Sequence, residues 1–70
     1  MATALDKLDA HSLRNWIRSD SAMAKIWLEG FHAAEAGYVE DANPYLLMKD
    51  GLIWMDGWGL YQLWPTFLEE

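Results

Sequence analysis

The chain has 70 residues, no cysteine, 53% hydrophobic residues and a formal net charge of −6. A chain this short forms one domain and removes only about 60% of its unfolded surface from water, and without cysteine it has neither disulfide staples nor thiolate metal ligands. The negative charge disfavours direct binding to phosphate backbones, and the natural counterpart is a protein with a basic surface; the plainer reading is that acidity keeps a small apolar protein in solution.

Met1 to Lys7 lack a basic stretch followed by a long apolar run, so no signal peptide is expected. No window approaches the ~18 uninterrupted apolar residues of a membrane span. The expectation is a soluble, cytoplasmic, all-α single domain over residues 1–70.

The first helix is expected from about Leu5 to Arg18. Leu5, Leu8, Leu13, Trp16 and Ile17 recur at helical spacings, and Asp9 or Ser12 is an alternative, later cap. Ser19-Asp20-Ser21 breaks the pattern, and Asp20 or Ser21 then caps a second helix from about Ala22 to Ala36. Met23, Ile26 and Trp27 share a face with Gly30, Ala33, Ala34 and Gly37. The second half of that face is built from small residues. Gly30 costs about 1 kcal/mol relative to alanine in a helix, which points to close approach by another helix. Gly37 fits a left-handed C-terminal cap.

Asn43 followed by Pro44 reads as a cap and first helical position, although Tyr45 to Lys49 fit either a helix or a single turn. Asp50-Gly51 reads as a turn or as a cap for the last helix, expected from about Leu52 to Leu63. Trp54, Gly57, Trp58 and Tyr61 lie along one side of it. Pro65 ends it. Thr66 to Glu70 form a tail, frayed unless Phe67 and Leu68 dock.

Charge is polarised along the chain. Residues 1–28 carry four basic against three acidic side chains, whereas residues 29–70 carry Lys49 alone against eight carboxylates, giving +1 and −7. Five tryptophans and three tyrosines exceed what a monomer of this size hides, and large aromatics left at a surface are typical of association sites. Candidate partner contacts are Glu35, Glu40, Asp41 and Asp56 for charge, with Tyr38, Trp27 or Trp64 as anchors. A homodimer is also expected, with the first helix supplying the contact through Leu13, Trp16 and Ile17.

The spacing of glycines and tryptophans forms a longer frame. It runs from Gly30 through Ala33 and Gly37 to Asn43-Pro44-Tyr45, then Trp54 and Gly57-Trp58. Over residues 30–61 this frame resembles the core of the ribosome modulation factor family: two main helices packed through glycines, here with an N-terminal helical extension (1–25) and a tail (66–70). The matching residues read first as fold-makers, with Gly30 and Gly57 at the crossing, Trp54 and Trp58 beside it and Pro44-Tyr45 fixing the connection.

The resemblance implies a ribosome-associated hibernation protein that docks on the small subunit. Members of that family are strongly basic, whereas the matching region here is acidic, so the scaffold carries over and RNA docking does not. The resemblance further implies a place among small acidic relatives from phages and mobile elements that regulate or inhibit host proteins. The leading expectation is therefore an acidic, protein-binding regulator or inhibitor. The alternatives are ribosome hibernation proper and a nucleic-acid mimic whose carboxylates imitate phosphates.

No nucleophile elbow, phosphate loop or paired histidine and carboxylate beyond helix neighbours is present. Glu29, His32 and Glu35 are two-ligand spacings without a third or fourth partner. Neither an enzyme nor a bound metal or cofactor is expected.

Overall fold

A computed structural model describes residues 10–69. Helix α1 spans Ala10–Arg18, α2 Ala22–Glu35 and α3 Met48–Leu63, with short 3-10 turns at Glu40–Ala42 and Phe67–Glu69. The readings placed on Leu5, Leu8, Asp9 and Glu70 lie outside the described residues. The domain is all-α, with α2 and α3 as its main packed pair and α1 against them.

Local signals account for α2. Asp20 adopts a positive φ of 59°, a conformation aspartate tolerates better than most residues, and this turns the chain out of α1. Ser21 then caps α2, its hydroxyl accepting from the Ala24 amide at 3.1 Å. At the other end Gly37 takes φ 90°. The Tyr38 amide donates to the Ala33 carbonyl and the Gly37 amide to that of Ala34, a Schellman closure that satisfies the last carbonyls.

The α2–α3 crossing depends on two reciprocal glycines. A methyl group on Gly30 would lie 2.7 Å from the Trp54 carbonyl carbon and closer still to its oxygen. On the opposite helix, a methyl on Gly57 would lie 2.9 Å from the Trp27 carbonyl carbon, again overlapping its oxygen. Each glycine thus receives the backbone of the other helix at a tryptophan. Packing against backbone leaves no side chain free to swing away.

Beside this crossing lies a core of Leu13, Ile17, Trp27, Phe31, Leu60 and Phe67. Trp27 and Phe31 stack at 5.5 Å between ring centroids, and Tyr61 meets Phe31 edge-on at 5.3 Å. Phe67 is 1% exposed, so the segment after Pro65 docks. Arg14 holds it there: its Nε donates to the Phe67 carbonyl at 2.9 Å, and its guanidinium lies 4.5 Å from the ring centroid.

Several expectations are corrected. Leu13 and Ile17 point into the molecule's own core and Trp16 packs against it, so α1 is spent on this fold and does not present the proposed dimer contact. On α2, Met23 is exposed while Phe31 is buried; the inward face runs Trp27, Gly30, Phe31, Ala34. Asn43-Pro44 does not start a helix, and α3 begins at Met48, before Asp50-Gly51.

Asn43 acts instead as a strut. Its Oδ1 accepts from the Tyr45 amide at 3.0 Å, an Asx turn, and its Nδ2 donates to the Gly51 carbonyl at 3.0 Å. A methyl on Gly51 would stand 3.4 Å from Asn43 Nδ2 and from the Tyr45 carbonyl, at van der Waals contact, so the connection passes directly over this part of α3. Tyr45 completes the tie, its hydroxyl donating to Glu29 at 2.5 Å.

Two predictions follow from these contacts. Gly30→Ala and Gly57→Ala force the helices apart, and each should destabilise the domain by about 3 kcal/mol, a large share of the total stability of so small a chain. Thermal unfolding should register this as a drop of roughly 15 °C or loss of the transition. The hydrogen bond to Glu29, partial burial and the negative charges of Glu29 and Asp50 hold the Tyr45 phenol above its ordinary pKa. The folded state therefore favours protonated Tyr45, and this contribution, fully present below the ordinary tyrosine pKa, is lost as pH rises through the folded value. Melting curves across the alkaline range should show that limb in the wild type and a flatter one in Tyr45→Phe.

Candidate protein-docking surface

The Schellman closure at Gly37 projects Tyr38 and Val39 off the end of α2, where they are 60% and 66% exposed. The loop is pinned to α3 because the Trp58 indole donates to the Tyr38 carbonyl at 2.9 Å. An open depression of about 490 Å³ results, bounded by Ala34, Gly37, Tyr38, Val39, Glu40, Trp58 and Gln62. On the other side of Tyr38 a smaller, mainly apolar one of about 210 Å³ runs past Ala33, Ala42, Pro44 and Trp54. Tyr38 is the ridge between the two.

Carboxylates flank this ridge along the chain. Glu35, Glu40 and Asp41 are all exposed, and no lysine or arginine occurs between Lys25 and Lys49. Glu35 occupies the last position of α2, where the helix dipole already points its negative end outward and disfavours a carboxylate. Placing one there costs stability and raises the negative potential. The imidazole of His32 lies 3.4 Å from Glu35. An aromatic platform within such a field suits a cationic side chain.

Four sequence candidates, Glu35, Tyr38, Glu40 and Asp41, thus belong to one surface. The others do not join it. Trp27 is 1% exposed and cannot anchor a partner. Asp56 accepts from the Trp27 indole at 2.8 Å, satisfying the one polar atom of a buried side chain. Trp64 packs edge-on against Phe67 and under Arg14. Trp58 was missed as a surface residue because the Gly57-Trp58 pair reads as a packing motif, and Val39 lies outside every motif the sequence offers.

Among the described residues no group of three or more histidine, cysteine or acidic side chains is disposed to hold a metal ion, and no helix is long and apolar enough to cross a membrane. No protein-family profile, curated protein or solved structure matches the chain.

The geometry generates a spectroscopic prediction. Trp58 is half-buried beside the Tyr38 loop, so a cationic peptide seated in the depression should change tryptophan emission in the wild type. Trp58→Phe should lose most of that response while keeping its helical circular dichroism.

Proposed function

We propose that this protein is a small acidic regulator or inhibitor of a host protein, acting by binding rather than by catalysis. It engages a basic segment of its partner through the Tyr38 ridge. The observation that carries this reading is the exposure of Tyr38, which lines two depressions, with Glu40 at one of them and Glu35 and Asp41 exposed in the same stretch of chain. Interface anchors are typically rigid aromatics in water-excluding surroundings, and flanking charges set the rate and specificity of encounter. The ribosome modulation factor-like scaffold remains part of this proposal. The glycine crossing supports reading Gly30 and Gly57 as its framework, and the acidic surface favours a protein over an RNA receptor. A phage-encoded origin fits a compact binder of this charge.

The test is affinity capture from host lysate, comparing the wild type with Tyr38→Ala and with a Glu35→Lys/Glu40→Lys/Asp41→Lys variant. A stoichiometric basic partner should be recovered by the wild type. Tyr38→Ala should weaken it by about 2 kcal/mol, roughly thirtyfold, and both charge reversal and raised salt should release it. Equal recovery by all three proteins would contradict the assignment. Recovery of small ribosomal subunits instead would favour the hibernation role.

A further inference from the structure

Helix α3 is apolar almost all round: of its 16 residues only Lys49, Asp50 and Asp56 are charged. A helix of that kind is normally buried on every side, yet here only one side is covered. Met48, Leu52, Met55 and Gly59 fall within about 60° of one another at 3.6 residues per turn, directly opposite Gly57 and the α2 crossing. Their spacing of four, three and four is that of a coiled-coil seam. Met48 and Leu52 are 79% and 62% exposed, and Leu63, at the end of the same stripe, is 81% exposed.

Gly59 supplies a separate observation. Among the described residues a methyl group there would touch nothing within 4 Å, so their packing gives no reason for a glycine that costs its helix about 1 kcal/mol. Close approach by a second chain would give one.

We infer that the outer face of α3 is a self-association surface, on which a second copy of the chain lies antiparallel across the Met48–Leu63 stripe. Two-fold symmetry about a point between residues 55 and 56 sets Leu52 over the partner's Gly59 and Met48 against the partner's Leu63. The large side chain then faces the residue that makes room for it, twice. The stripe itself carries no charge, and the Asp56 carboxylate that flanks it accepts a hydrogen bond from the Trp27 indole of its own chain. Leu46 and Leu47, the two residues before α3, are 99% and 71% exposed, and together with Met48, Leu52 and Leu63 they expose on the order of 700 Å² of apolar residue surface, near the roughly 800 Å² per partner of a standard interface. This inference does not depend on the Tyr38 surface.

Sedimentation equilibrium of the wild type should give twice 8.1 kDa. Leu52→Lys should be at least tenfold weaker in association with its helical content retained. Gly59→Leu enters open space in the monomer, so it too should fold and lose the dimer. Orientation is read by disulfide trapping in this cysteine-free chain: Met55→Cys, beside the axis, should cross-link to a dimer under oxidation, and Leu63→Cys, far from it, should not. A wild-type monomer at submillimolar concentration would overturn the inference. So would folded Leu52→Lys and Gly59→Leu variants that dimerise as tightly as the wild type, or cross-linking through Leu63→Cys alone.

Discussion

Two peptide backbones come together at Gly30 and Gly57, and the positions of the remaining elements depend on that approach. Each glycine accepts the carbonyl of a tryptophan on the other helix, so the crossing is fixed by groups that have no alternative rotamer. Its consequences spread along both helices. Trp27, whose backbone meets Gly57, sends its ring into the stack with Phe31. That stack sets the surface on which Tyr61 and Phe67 rest. A core of aromatics in a chain of 70 residues needs such a fixed reference, because large flat side chains have many near-equivalent ways to pack.

The same approach determines what reaches the surface. Because α2 is held against α3 along its second half, its Schellman closure brings Tyr38 within hydrogen-bonding reach of Trp58. The acidic ridge is therefore a product of the crossing as well as of the loop sequence. On the far side, α3 has given Gly57, Trp54 and Leu60 to the interior and retains a second apolar face on which Met48, Leu52 and Leu63 are exposed. One face is polar and aromatic, the other apolar and uncharged, and they suit different partners.

Much of this was legible in the residues. Ser21, Gly37 and Pro65 act locally, through capping, positive φ and loss of an amide donor, and local chemistry is what a sequence displays most directly. The glycine pair was legible because a helix-interior glycine needs a reason. Phe31 was overlooked because the small residues beside it set the perceived face, and only the angle at which α3 crosses α2 turns Phe31 inward. The start of α3 was misplaced for a related reason. Asp50-Gly51 looks like a break, but the Asn43 side chain bonds the Gly51 carbonyl, a contact eight residues away that no local pattern announces. At the candidate surface, the acidic and aromatic residues of one loop were found together. Asp56 and Trp27 were not separable from them until their mutual hydrogen bond was seen, and the outer face of α3 was hidden by the tryptophans that drew attention to the inner one.

The most direct test of the central contact is to observe it by proton NMR in the folded protein. The crossing predicts strong nuclear Overhauser effects from the Gly30 α-protons to the Trp54 α-proton and from the Gly57 α-protons to the Phe31 amide, reflecting backbone atoms in near contact. It also predicts slow hydrogen exchange for the amides flanking both glycines. A folded, helical protein lacking those cross-peaks, with side chains interposed between α2 and α3, would contradict it.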